Sequence, residues 1–160
     1  MKVKGITDED FVNYNLPSMY IATATCSFKC DKECGQPVCQ NSELAKQPTH
    51  IISDALIARR YLNNDITHAV VFGGLEPFDQ FNDMCCLIDI LRNSYRLPDD
   101  IVIYTGYNRD EIEEEVNYLT KTYNNIVVKF GRYIPGQQPH FDPVLGVYLA
   151  SDNQYAERIS

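Results

Sequence analysis

Hydrophobic and polar positions along the chain predict strands that alternate with helices. Ser18–Ala24 is an apolar stretch with alternation and β-branched residues, which predicts a strand leading directly into a cysteine-rich segment. Ser53–Leu62 has apolar residues at helical spacing. His68–Phe72 is a short continuous apolar run followed by two glycines, which is typical of a strand buried on both faces.

The second half of the chain continues this alternation. Two more helices are predicted, one from Asp79 or Asn82 to about Tyr95 and one from Asn108 to Lys121. Three further apolar segments predict strands over Ile101–Tyr104, Ile126–Phe130 and Val144–Ala150.

Strands that alternate with helices predict crossover connections and a mainly parallel sheet, so the expected fold class is α/β. A chain of 160 residues is long enough to bury one core, and we expect a single domain over residues 1–160. Ligands of such sheets bind beyond the carboxyl ends of the strands. Segments that follow strands therefore carry the candidate chemistry.

Charge and hydropathy narrow the range of partners. The net charge is −8 and no basic stripe offsets it, which argues against binding to a nucleic-acid backbone. The acidic run Asp110–Glu115 is interpreted as the solvated start of a helix. No apolar stretch has the length of a membrane span, and Met1–Lys4 does not lead into a signal-peptide core. We therefore expect a cytoplasmic protein with reduced cysteines and no membrane partner.

Four cysteines lie within fourteen residues, at Cys26, Cys30, Cys34 and Cys39. Thiolates spaced this closely usually share an inorganic centre, either a zinc ion or an iron–sulfur cluster. The number of ligands decides the chemistry of such a centre. Four thiolates close it, whereas three leave one iron of a cluster open to a substrate.

The other two cysteines and the three histidines have no such pattern. Cys85 and Cys86 lie in an apolar run, and we expect both to be buried and inert. His50, His68 and His140 share no spacing that is typical of a metal site, so we expect structural roles for them.

Two other strand ends carry possible binding residues. Gly73-Gly74 brings bare backbone against a ligand, and Glu76 offers a carboxylate to a cation. Thr105 and Tyr107 follow the next strand, where the aromatic ring can border a planar ligand. Taken alone, Gly73–Pro77 is equally consistent with an ordinary turn, and Thr105–Tyr107 slightly favours a plain turn with Tyr107 on the surface.

Several segments match the motifs of a known family in order. Cys26-x3-Cys30 matches the start of a C-x3-C-x2-C cluster motif, and Val38–Asn41 is similar to its end. Gly73–Pro77 is similar to the Gly-Gly-Glu-Pro motif that holds the amino group of S-adenosylmethionine (SAM). The other similar segments are Asp10–Asn13, Ile103–Tyr107, Gly131–Ile134 and Ser151–Gln154. On these residues the chain resembles, over most of its length, the radical SAM activating proteins of anaerobic ribonucleotide reductase.

The chain departs from that family's pattern at two points. Eight residues separate Cys30 from Cys39 where the family has two, and they include Cys34. Leu75 is inserted into the glycine–glutamate motif. The ligand set of Cys26, Cys30 and Cys39 keeps the first spacing and the ending of the motif, so it is favoured, with Cys34 as the alternative ligand.

The resemblance implies a partial α/β barrel that carries a 4Fe-4S cluster and SAM as cofactors. It implies an anaerobic oxidoreductase that cleaves SAM reductively to methionine and a 5′-deoxyadenosyl radical. The implied partners are a larger glycyl radical enzyme, such as anaerobic ribonucleotide reductase, and a reductant such as flavodoxin or ferredoxin. The residues implied to contact SAM are Val38, Asn41, Gly73, Gly74, Glu76, Thr105 and Tyr107.

Two other functions stay open. The inserted residues are compatible with a non-catalytic 4Fe-4S protein of the same fold that acts in electron transfer or protein interaction. All four clustered cysteines together are compatible with a zinc-binding interaction module.

Overall fold

The computed structural model describes residues 1–160 and is built on a seven-stranded sheet. The strands lie in the order β3-β1-β2-β4-β5-β6-β9, and two further strands form a separate hairpin, β7-β8. Their bounds are β1 Lys2–Asp10, β2 Ser18–Thr23, β3 His50–Ile51, β4 Ala69–Gly74, β5 Asp100–Tyr104, β6 Ile126–Phe130, β7 His140–Asp142, β8 Val147–Leu149 and β9 Tyr155–Arg158.

The four central strands are parallel. β2 pairs with β4, β4 with β5 and β5 with β6, all in the same direction. The outer strands are antiparallel, since β1 pairs with β2, β3 with β1 and β9 with β6 in opposite directions. The predicted α/β class with a mainly parallel sheet is confirmed, and curvature into a partial barrel stays a prediction.

Helices cover one face of the sheet. Alternate residues of the parallel strands pack against α3, α4 and α5 in the larger apolar core, while the other face holds a smaller cluster around Val71, Val102 and Leu145. None of the helices has the length and hydrophobicity needed to cross a membrane. The helices are α1 Lys29–Cys34, α2 Ser42–Lys46, α3 Asp54–Leu62, α4 Phe81–Asp89 and α5 Glu113–Thr122, with 3-10 turns at Pro77–Gln80 and Arg109–Glu111 and a π-helical turn at Ile90–Ser94.

Several expectations about local structure were wrong. Of the predicted strand Val144–Ala150 only Val147–Leu149 is extended, and it pairs with β7 in the separate hairpin instead of joining the main sheet. The turn before α4 is capped by Glu76, whose carboxylate accepts the Phe78 N–H, and not by Asp79 or Asn82.

The expectation that Cys85 and Cys86 are both buried is only half right. Cys85 is buried in the core, whereas Cys86 is exposed. Consecutive residues on an α-helix point about 100° apart, so the second cysteine of the pair turns away from the sheet.

Two glycines allow β4 to end close against β2. Gly74 has a φ of 81°, and a Cβ there would lie 2.8 Å from the Ala22 Cα. A Cβ at Gly73 would lie 2.7 Å from the Tyr20 hydroxyl oxygen. Gly74 therefore excludes a side chain, because its neighbour is backbone, whereas a side chain at Gly73 would require Tyr20 to move.

We expect Gly74→Ala to lower the free energy of unfolding by about 2 kcal/mol or more, because it adds a left-handed non-glycine residue and a backbone clash. Gly5→Ala in β1 is the matched control, since a Cβ at Gly5 meets nothing within 4 Å. Urea unfolding of both variants measures the difference. Equal stability of the two variants would contradict this account of β4.

Candidate functional site

The cysteine loop returns on itself because one carboxylate holds its far end. Asp31, on α1, accepts hydrogen bonds at the same oxygen from the backbone N–H groups of Val38 and Cys39, both at 2.8 Å. α1 ends at Gly35, whose φ of 65° turns the chain sharply. The residues between Cys30 and Cys39 therefore form a helical turn and a return loop, which bring Cys39 back toward the sheet.

Three of the four clustered cysteines line one cavity. The cavity has a volume of about 320 Å³, lies at the carboxyl ends of the parallel strands, and is bordered by Cys26, Cys30 and Cys39. Cys34 is exposed and does not border it. Of the other residues expected to contact a ligand, the cavity is lined by Asn41, Gly74, Glu76 and Thr105.

Three expected ligand contacts lie outside this cavity. The Val38 backbone is held by Asp31, and Gly73 packs against Tyr20. The Tyr107 hydroxyl donates to an oxygen of Asp79 at 2.6 Å, and its ring borders a second, smaller cavity. The aromatic residues that line the main cavity are Tyr20, Tyr104, Tyr133 and Tyr148.

Glu76 reaches the cavity despite the inserted Leu75. One carboxylate oxygen accepts from the Thr105 hydroxyl at 2.7 Å and from the Phe78 N–H at 3.1 Å, and the other accepts from the Gly106 N–H at 2.9 Å. Only 7% of Glu76 is exposed. Burial raises its pKa to about 7, while the three hydrogen bonds oppose that rise. The side chain thus joins the ends of β4 and β5 at the cavity wall.

A buried lysine completes the cavity and was missed in the sequence. Lys129 lies in β6 and is 6% exposed, and its ammonium donates to the carbonyl of Gly131 at 2.7 Å and to that of Thr105 at 3.4 Å. Burial lowers its pKa to about 8, although the nearby charges of Glu76 and Cys30 favour the charged form. A lysine inside an apolar central strand is rare, and that is the signal by which the sequence could have indicated it.

A second group of charged residues ties α1 to the loop after β5. Arg132 is buried, and one guanidinium nitrogen contacts Glu111 at 2.5 Å and Glu33 at 3.1 Å. Lys29 also contacts Glu111, at 2.8 Å, and its ammonium lies 4.6 Å from the centre of the Tyr107 ring. The acidic run is therefore more than a solvated helix start, because Glu111 joins the cysteine loop to the sheet edge.

The two loosely matching segments near the C-terminus contact each other. The side-chain amide of Asn153 donates to the Arg132 carbonyl at 2.9 Å, and that of Gln154 donates to the Gly131 carbonyl at 3.2 Å. Gly131 has a φ of 94°, so the chain turns directly after β6. These contacts fix the backbone that follows Lys129 and carries Arg132.

The three cavity cysteines are thiols that a bound centre would have to convert to thiolates. Burial raises the pKa of Cys26 to about 11 and also raises that of Cys30, and in both cases the nearby Cys39 adds to the rise. A bound cationic centre would supply the charge that converts such thiols to thiolates. No three His, Cys, Asp or Glu side chains converge as ligands of one ion. In a 4Fe-4S cluster each thiolate binds a different iron, which allows wider spacing than a zinc site.

Comparison with known proteins gives one match. The model of a family described as the 4Fe-4S single cluster domain matches residues 18–143. The matched stretch begins with β2, ends just beyond β7, and contains the four loop cysteines, Glu76 and Lys129. Neither the curated proteins nor the solved structures include a match to this chain.

The ion pairs of Glu111 predict a dependence of stability on pH. Hydrogen bonding to Arg132 is the main reason that the pKa of Glu111 falls from 4.5 to about 2. The stabilisation is therefore present above pH 4.5 and is lost as the pH falls toward 2. Because the side chain is partly exposed, we expect Glu111→Gln to lower the free energy of unfolding at pH 7 by only about 1 kcal/mol.

Chemical unfolding at several pH values measures this effect. The difference between wild type and Glu111→Gln should shrink as the pH falls from 4.5 to 2. Glu43→Gln is the control, because Glu43 forms only a surface pair with Lys46 and its side chain is 81% exposed. A difference that does not change with pH would show that the Glu111 charge is not responsible.

Proposed function

Because the chain belongs to the 4Fe-4S single cluster domain family, we propose that it is a radical SAM protein that activates a larger glycyl radical enzyme, such as an anaerobic ribonucleotide reductase. One observation carries the proposal: three thiols, a buried carboxylate and a buried ammonium line one cavity at the carboxyl ends of a parallel sheet. When bound, the cluster supplies the electron that splits SAM into methionine and a 5′-deoxyadenosyl radical.

Cys26, Cys30 and Cys39 are the proposed ligands of the cluster. The support is that all three border the cavity, whereas Cys34 is exposed at the end of α1. Three thiolates would leave one iron without a protein ligand, and this iron would be open to the amino and carboxylate groups of SAM. Asp31 contributes by holding the Cys39 backbone in place.

The methionine end of SAM carries an amino group and a carboxylate, and the cavity has an acceptor and a donor to receive them. Glu76 is the proposed acceptor for an N–H of the amino group, and Lys129 is the proposed donor to the carboxylate. Lys129 bonds only to backbone carbonyls, so its charge is free to pair with an anion. An N–H donated by this amino group to Glu76 would lower the pKa that burial has raised.

The backbone and amides around these charges would orient SAM and exclude water. Gly74 leaves the cavity wall without a side chain at the end of β4. The Asn41 side-chain amide donates to the Gly74 carbonyl at 2.5 Å and so closes the cysteine loop onto this wall. Thr105 fixes the Glu76 carboxylate from the neighbouring strand. Contacts of Val38 and Tyr107 with the adenosine stay a prediction.

An exposed aromatic pair beside the cavity supports a protein substrate. Tyr148 lines the cavity, is 74% exposed, and packs edge-on against Phe141 with 5.6 Å between ring centres. Exposed aromatic surface of this kind is typical of protein contact sites. The proposed substrate is a glycine in the partner enzyme, and the proposed reductant is a flavodoxin or ferredoxin.

A non-catalytic electron carrier of the same fold is the second candidate. Cys34 lies one helical turn after Cys30 on α1, and movement of this exposed loop would allow it to become a fourth cluster ligand. A closed cluster would have no iron for SAM. The two candidates therefore differ in SAM cleavage.

The test is SAM cleavage by the anaerobically reduced protein. We expect 5′-deoxyadenosine and methionine in equal amounts, measured by liquid chromatography with mass spectrometry. Cys39→Ala should lose most of its iron and sulfide and at least a hundredfold in product, because one of the three ligands is gone.

Cys34→Ala is the matched control, and it should keep its iron content and its activity. A wild-type protein with a full cluster that makes no 5′-deoxyadenosine would contradict the proposed activity and favour the electron carrier. Loss of the cluster in Cys34→Ala but not in Cys39→Ala would contradict the ligand assignment.

A further inference from the structure

Arg132 has a buried polar atom that no protein group satisfies. Its side chain is only 8% exposed, and its Nε–H has no hydrogen-bond partner. Buried N–H groups without a partner are rare in proteins, because desolvation without a new hydrogen bond is costly. The unpaired Nε–H is therefore open to an acceptor that is not part of the polypeptide.

The position of this Nε–H is fixed by the rest of the residue. The guanidinium is held at its Nη2 atom by Glu111 and Glu33, and it lies 5.9 Å from the centre of the Tyr107 ring. The Arg132 carbonyl is bound by Asn153. These contacts hold both ends of the side chain, so Nε cannot readily turn toward solvent.

Arg132 lies beside the proposed cluster ligands. A Cβ placed on Gly106 would be 3.6 Å from the Cys30 Sγ, 3.6 Å from the Glu76 Oε2 and 3.7 Å from the Arg132 Cγ, so these three side chains surround the same glycine. A small cavity of about 20 Å³ is bordered by Cys26, Cys30, Gly106 and Arg132. This space is too small for an organic ligand and adjoins the sulfur ligands.

We propose that Arg132 donates its Nε–H to a sulfur on the Cys30 side of the cluster and thereby makes the cluster easier to reduce. The inference rests on the proposed function, because it requires a cluster at Cys26, Cys30 and Cys39. Reduction adds negative charge to the cluster, and hydrogen bonds to its sulfurs stabilise that charge. Glu111 and Glu33 offset the net charge of the guanidinium. The directed N–H bond therefore stabilises the reduced cluster more than the overall charge of Arg132 does. Arg132 thus raises the reduction potential of the cluster and is not one of its ligands.

The first test is a redox titration of the cluster-loaded protein followed by electron paramagnetic resonance (EPR). At the midpoint potential of the wild type, we expect the ratio of reduced to oxidised cluster to fall about tenfold in Arg132→Gln, equivalent to about 59 mV for one electron. Arg132→Lys keeps a positive charge without Nε–H and should also be harder to reduce. Arg109→Gln is the control, since Arg109 pairs with Glu157 and borders neither cavity, so its substitution should leave the potential unchanged.

The second test detects the hydrogen bond itself. Wild-type protein labelled with 15N-arginine should show a weak nitrogen coupling in hyperfine spectra of the reduced cluster, and Arg132→Lys should lack it. Unchanged potentials in both Arg132 variants, or no arginine coupling in the wild type, would overturn the inference while leaving the proposed function intact. A water that bridges Arg132 and the cluster in the small cavity would give this absence of arginine coupling. A wild-type protein that binds no iron and sulfide would overturn both.

Discussion

The buried carboxylate of Glu76 is the interaction on which the site depends. It caps the turn after β4 and accepts hydrogen bonds from two residues at the end of β5, so it holds the neighbouring strand ends in register. Burying a carboxylate is costly without hydrogen bonds or a counter-charge. The three donors meet this requirement, and Lys129 brings a charge of the opposite sign to the same cavity.

The cysteine loop also depends on hydrogen bonds to a single carboxylate. Asp31 converts a long, polar insertion into a turn that returns Cys39 to the cavity. The ion pairs of Glu111 and Arg132 then fasten α1 to the sheet edge. Spacing in the sequence and distance in space therefore differ, and the shorter spacing of the related motif is not required to bring three thiols to one cavity.

The sequence predicts the parallel core well, because buried central strands are continuous apolar runs. β6 was predicted with its observed bounds, and the ends of β4 and β5 were predicted as neighbours. β1 was not predicted, since its polar sequence KVKGITDED carries no strand pattern, and its place is decided by pairing with β2. Lys129 and Arg132 were not recognised as site residues, because their roles depend on the direction of each side chain and on burial. Those properties arise only when the sheet and the C-terminal turn assemble.

The central claim is that three thiolates hold a 4Fe-4S cluster with one iron open to SAM. The most direct measurement is the EPR spectrum of the reduced, cluster-loaded protein recorded with and without SAM. The account predicts that SAM shifts the cluster signal, because its amino and carboxylate groups bind the open iron beside Glu76 and Lys129. A fully loaded cluster whose signal is unchanged by saturating SAM would contradict it.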